Sequence, residues 1–195
     1  MRIILTVLIL YINFQSLTKA DNVSDFEIDG MSLGKSLLKY YSKKEINNQL
    51  SKMSSSYKSD KFKRIYFNPD SNSEYIQYNF HYRNDGSYEI VELKGGLLFE
   101  NKIDECLDKR QEISNNIENS ISFIDKYNNS FSHRADKTGK SKIHRVTFVL
   151  NNGVINISCF EWSEDIKNNR PWRDTLQVSI GSHLFFDWLK YEAYK

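Results

Sequence analysis

An α+β fold is predicted by three features of the sequence. Apolar residues recur at helical spacing in separate regions, apolar and polar residues alternate between those regions, and turn residues stand where the alternation reverses. The succession of helix and three-stranded antiparallel meander is read twice, and a further helix closes the chain. N-D-G-S-Y-E-I-V-E-L and N-N-G-V-I-N-I-S-C-F hold the same place in each half, a weak echo of duplication.

The first helical region opens with Ser32 as the cap of a short helix bearing Leu33, Leu37, Leu38 and Tyr41. Ser42-Lys43-Lys44-Glu45 is a capping box that starts a second helix with Ile46, Leu50 and Met53 on one side. The period then changes to two. Residues 61–67 make a first strand, a turn follows at 69–72, and residues 75–82 make a second strand with Ile76, Tyr78, Phe80 and Tyr82 on one face. Asn84-Asp85-Gly86 reads as a three-residue hairpin loop with Gly86 left-handed, which opposes Tyr82 to Tyr88 and Phe80 to Ile90. Gly95-Gly96 marks a bulge or bend in the third strand.

The longest helix is expected from a cap at Asn101 to about Tyr127, with Ile103, Cys106, Leu107, Ile113, Ile117, Ile121 and Ile124 on one stripe. A polar loop follows over 128–140. Strands at 143–150 and 154–162 are joined by Asn152-Gly153, which pairs Leu150 with Ile155, Phe148 with Ile157 and Val146 with Cys159. A last strand spans 172–180, and Ser182 caps the terminal helix of Leu184, Phe185, Trp188 and Leu189.

Residues 1–20 carry the pattern of a secretory signal peptide: Arg2, an apolar run from Ile3 to Phe14, and Thr18-Lys19-Ala20 with small residues at the −3 and −1 positions. The run is shorter than the roughly 20 residues that span a bilayer. The expectation is a mature chain, 21–195, without a stable membrane anchor, in the periplasm or outside the cell, folding as one α+β domain with sub-units at 26–99 and 101–195. Arg2 and Lys19 are two of the 27 basic residues and the leader has no acid, so 25 basic and 25 acidic residues remain. A net charge of zero gives no basis for nucleic-acid binding, which needs a concentrated positive surface.

Gly30-Met31-Ser32-Leu33-Gly34-Lys35-Ser36 looks like a phosphate-binding loop, but only three residues separate its glycines where the phosphate cradle needs four. Gly139-Lys140-Ser141 has Arg134 in place of the first glycine and runs into a strand. Nucleoside triphosphates are therefore excluded as ligands. Four histidines, His81, His133, His144 and His183, stand on separate elements with no metal-ligand spacing, no G-x-S-x-G elbow is present, and no cofactor or metal is expected. His144 is in phase with the apolar side of its strand and reads as a satisfied, half-buried residue.

An even cysteine count in an oxidising compartment favours a disulfide. Cys106 and Cys159 fall on the apolar sides of elements that should pack together, so Cys106–Cys159 is the expected bridge. Two polar patches rise above background. One is the loop holding His133, Arg134, Asp136 and Lys140; the other is Glu161-Trp162-Ser163-Glu164-Asp165 with Pro171-Trp172 nearby.

The segments F-E-I-D-G-M-S-L-G-K-S-L-L-K-Y-Y-S-K-K-E-I, A-D-K-T-G-K-S, C-F-E-W-S and L-Q-V-S-I-G-S-H-L-F-F-D-W-L, with a lone cysteine in the long helix, resemble a family of uncharacterised small exported proteins from AT-rich marine bacteria. The resemblance covers nearly all of the mature chain and implies export and architecture, not an activity. Helices followed by a meander, twice, is similar in topology to the tandem fold of beta-lactamase inhibitor protein and of BamE. The reading is an exported, non-enzymatic protein that recognises another macromolecule, such as an envelope or extracellular protein. The alternatives are an exported hydrolase with a site assembled from separate strands, and a small-molecule carrier.

Overall fold

The computed structural model describes residues 21–53, 57–69 and 71–195. The leader at 1–20 and Asp70 of the turn at 69–72 lie outside the described residues. The first helical region departs from expectation at its start. Ser32 is buried and caps nothing; the backbone of 34–37 runs beside 88–90, with Gly34 N donating to Ile90 O and Ile90 N to Lys35 O, each at 2.9 Å. Only then does a single 3₁₀ turn form at Leu37–Lys39, capped by Ser36. No phosphate-cradling helix follows Lys35, which is exposed. Ser42 and Glu45 form the expected capping box at the head of α1, Lys43–Leu50, which buries Ile46.

The strands are β1 (Phe62–Phe67), β2 (Gln77–Arg83), β3 (Ile90–Leu98), β4 (Asp125–Ser132), β5 (Lys142–Val149), β6 (Gly153–Glu161) and β7 (Thr175–Ser182). All pair antiparallel in one sheet of order β1-β2-β3-β7-β6-β5-β4. The α+β class holds. The first meander is three-stranded as expected; the second unit has four strands, because the stretch read as helix end and polar loop is β4. Helix α2 (Ile103–Ser120) stops at Ile121, an extended residue, and 125–132 zip onto β5 without a register break. Asn101, expected as its cap, sits at φ 57°, and Lys102 takes the cap position without a side-chain bond.

Both hairpins differ from the expected register. Arg83 N donates to Glu89 O, so the first loop runs over five residues, 84–88, with Gly86 left-handed as expected. Tyr82 then opposes Ile90, while His81 opposes Glu92: one extra residue, Val91, bulges from β3. Ile90 and Leu93 thus share the side of Tyr82 and Phe80, whereas Glu92 turns to the side of His81. The bulge lies here and not at Gly95-Gly96, where β3 continues; a β-carbon at Gly95 would stand 2.5 Å from the Tyr75 ring. In the second hairpin, Leu150 N donates to Gly153 O and the corner is Asn151-Asn152. Phe148 meets Ile155, Val146 meets Ile157 and His144 meets Cys159, two residues from the expected pairing. A shift of two leaves every side chain on its face.

The reason lies in Gly153, which is buried inside the ladder beside β7. A β-carbon there would come 2.4 Å from Gly181 O and 2.7 Å from Val23 Cγ1. Because a carbonyl within a sheet cannot yield, Gly153→Ala is expected to cost about 1–3 kcal/mol in urea unfolding, the range for overpacking. Unchanged stability would mean that the strands do not approach this closely.

The sheet has a closed and an open face. On the first face Ile65, Phe80, Leu93, Ile180, Ile155 and Phe148 form a continuous buried row beneath α1, α2 and the N-terminal segment. Cys106 of α2 is bonded to Cys159 of β6 within this core. Ser182 caps α4 (His183–Tyr191) as expected, and α4 buries Phe185 and Trp188 against Phe62 and Val91 on the second face. The rest of that face carries no helix among the described residues. None of the described helices is long and apolar enough to cross a membrane.

Candidate functional site

The uncovered part of the second face follows from register. Across the strands run Tyr66, Asn79, Lys94, Ser179, Asn156 and Thr147, then Gln177, Ser158 and Arg145, then Thr175, Phe160 and Ile143. Apart from Tyr66, Phe160 and Ile143 these are polar residues, on strands whose other side fills the core. At one end the chain adds aromatic rings. Trp162 continues the face beyond β6, Trp172 approaches β7 after a short helix α3 (Glu164–Asn169), and His133 leaves β4. Trp162 and Trp172 have ring centres 4.5 Å apart, His133 lies 4.4 Å from Trp162, and Phe160 stacks at 6.2 Å. The Arg170 guanidinium lies 4.6 Å over Trp172. All four rings are half-buried. Together with Tyr66, Asn79, Lys94 and Gln177 they line a groove of about 550 Å³.

The sequence patches therefore meet, but not every member faces the groove. Asp136 is turned inward. Its carboxylate accepts from Thr138 N and Oγ1, from Ser141 N and Oγ, and from Ser163 Oγ, all within 2.9 Å. These bonds, with the Ser141 and Thr138 hydroxyls foremost, hold its pKa far below the usual carboxylate range. A-D-K-T-G-K-S is thus a loop staple. Lys140 points to a second cleft, with Nζ 3.9 Å from Asp165, and Arg134 is exposed. His133 Nδ1 accepts from Ala135 N, and burial followed by the Arg134 charge keeps the ring neutral by lowering its pKa.

Asp174, which the alternating pattern gave no reason to single out, positions Trp162. Its carboxylate is buried, accepts from Trp162 N at 2.7 Å and Asn101 N at 3.2 Å, and is neutralised by Lys167 at 2.7 Å. Its place two residues after Pro171-Trp172 is the only signal the sequence offers for it.

Two further polar clusters stand elsewhere. Beneath α4, His81 Nδ1 donates to Glu92 Oε2 at 2.5 Å, Tyr57 OH donates to His81 Nε2 at 2.9 Å, and Lys94 Nζ lies 3.1 Å from Glu92 Oε1. His81 and Glu92 are each 2 % exposed, roofed by Phe185. Burial lowers the His81 pKa. Burial pushes the Glu92 carboxyl up, but the Lys94 charge and the hydrogen bonds from His81 and Lys94 outweigh it and hold it below the usual carboxylate range. Burial also raises the Tyr57 hydroxyl to about 12. A neutral ring, one carboxylate and one ammonium satisfy every partner, so this is a structural plug that substrate cannot reach. On the first face, Ser130 Oγ lies 2.8 Å from His144 Nδ1, whose Nε2 lies 3.3 Å from Glu161 Oε2. His144 is half-buried and satisfied, as its sequence position implied.

Both cysteines are consumed in the disulfide, which removes a thiolate nucleophile. Among the described residues no group of histidine, cysteine and carboxylate side chains is placed to hold a metal. No family model, curated protein or solved structure matches the chain.

Proposed function

We propose that the protein is an exported, non-enzymatic binding protein, and that it meets its partner with the open sheet face around Trp162 and Trp172. One observation carries this reading: four aromatic rings, half-buried and packed against one another, are held at the mouth of a groove by buried Asp174 and Asp136, with no helix above them among the described residues. Rings fixed in this way offer large contact area at little entropic cost, the property that makes tryptophan dominate interfaces. A periplasmic or extracellular location is part of the same proposal. It rests on the leader pattern, on the resemblance to small exported proteins, and on a disulfide that suits an oxidising compartment.

The test is capture of envelope material by immobilised protein, with Trp172→Ala compared against the parent chain. Trp172 lies outside the core, so the variant should unfold within about 1 kcal/mol of the parent while its capture falls roughly tenfold or more, as for a central interface aromatic. Equal capture by both chains would end the assignment of this face.

A hydrolase is the second reading, favoured only by the Ser130–His144–Glu161 chain of hydrogen bonds across β4, β5 and β6. A serine nucleophile needs a proton acceptor and also donors poised for the oxyanion in a water-excluded site. Ser130 is exposed on a flat strand. Ester turnover abolished by Ser130→Ala would move this reading ahead of the first.

A further inference from the structure

We infer that the protein pairs with a second copy of itself, β4 against β4, joining the two sheets edge to edge about a two-fold axis. Nothing in this depends on what the open face binds. The sheet ends in two edges that are built differently. β1 has six residues and carries Lys63 and Arg64, with Lys61 just before it, and edge charges of this kind keep a further strand from adding. β4 has eight residues, pairs with β5 without a bulge, and from Tyr127 to Ser132 holds no charged residue, proline or glycine. Its two charged residues stand at one end and are engaged within the chain: Lys126 with Glu118, and Asp125 with the Tyr127 hydroxyl and with Lys126 N. Among the described residues no strand lies beyond β4, and residues 127–132 are all exposed. One edge is guarded and the other is open.

The backbone determines which groups that edge offers. His133 N donates to Ser141 O, so the odd-numbered residues of β4 turn their backbone groups to β5. By the alternation of an antiparallel ladder, Asn128, Ser130 and Ser132 turn theirs outward. A two-fold axis normal to the sheet keeps each face with its like, so a residue can oppose only one of the same parity. The register centred on Asn129 then bonds Asn128 to Ser130 on both sides of the axis, and it twice sets Tyr127 against Phe131. These rings stand opposite Thr147 and Ile143 on the open face and are 47 % and 41 % exposed. They fall in the non-hydrogen-bonded pairs, where side chains approach most closely. Moving the axis by one residue either way opposes a ring to Asn129 instead. The centred register also opposes Asp125 to His133 and Lys126 to Ser132, so no like charges meet. Symmetry makes each favourable pair occur twice, which selects a second copy over a foreign strand. Pairing consumes both β4 edges and leaves the guarded β1 edges outermost, so growth stops at two copies.

The experiment is sedimentation velocity of the protein, leader removed, over a wide range of concentration. A reversible equilibrium between one and two copies is expected, with no larger species. Asn128→Pro removes an outward N–H and leaves the β4–β5 ladder its bonds, so the dissociation constant should rise roughly tenfold or more, the worth of a hydrogen bond lost from each copy. Asn129→Lys and Asn129→Glu each face themselves across the axis and should weaken pairing several-fold. An equimolar mixture of those two variants should recover it as a heterodimer, which also shows that both fold. For Asn128→Pro, a thermal midpoint equal to that of the parent chain at dilutions where the parent is a monomer shows the same. A parent chain that stays monomeric at the highest concentration overturns the proposal. So does a dimer indifferent to these substitutions, a mixture that does not recover, or growth beyond two copies. Envelope capture through Trp172 reads another part of the molecule and stands or falls separately.

Discussion

Removing the disulfide by Cys106→Ala with Cys159→Ala is expected to lower the unfolding free energy by about 4 kcal/mol. The 53-residue separation between the cysteines sets this figure through the loop entropy returned to the unfolded chain. The thermal midpoint of a chain of this size should fall by about 8–16 °C. Both cysteines are buried, at 1 % and 0 % exposure, so alanine also removes packing in the layer between α2 and β6. Urea unfolding with and without reductant checks the effect on the unmodified sequence. Coincident curves would show that the bridge constrains nothing.

The second large effect concerns the ionic plug under α4. Glu92→Ala strands the His81 N–H in a site that water does not reach, while the half-buried Lys94 ammonium can turn toward the groove, so the loss should lie at the low end for breaking a buried pair, about 3 kcal/mol. The plug also makes stability depend on pH. Because the folded-state pKa of His81 lies below its usual 6.5, the unfolded chain takes up a proton that the folded chain refuses. The contribution is fully present above about pH 6.5 and is lost as pH falls toward the folded value, at up to about 1.4 kcal/mol per pH unit. Glu92, held below 4.5, extends the loss under stronger acid with the same sign. His133 is also held low and adds to the slope, so the measurement is a difference: His81→Phe should flatten the stability curve between pH 6.5 and 5 relative to the parent chain. Parallel curves would mean that His81 binds its proton equally well in the folded and unfolded chain.

These two features were not equally readable. The bridge was legible because it depends only on which face each cysteine occupies, and the register error in the second hairpin was two residues, which preserves faces. The plug was not legible, because a bulge at Val91 moves Glu92 to the side of His81 and no turn residue marks the bulge. Strand β4 was missed for a related reason. Tyr-Asn-Asn-Ser-Phe-Ser has none of the β-branched residues that identify strands, and it is extended because β5 offers it a ladder. At the groove, the tryptophans were visible as residues, while the inward turn of Asp136 and the clamp by Asp174 arise from hydrogen bonds between segments far apart in the chain.

The strand order places β7, nearly the last segment of the chain, between β3 and β6. A polypeptide emerging from its N-terminus therefore holds two half-sheets with unfinished inner edges until Thr175–Ser182 arrives, and that late insertion joins them. Bare edges of this kind recruit foreign strands, so the interval before completion is when the protein is most exposed to mispairing, and loss of the residues from Thr175 onward would leave two unjoined half-sheets instead of a merely shorter molecule.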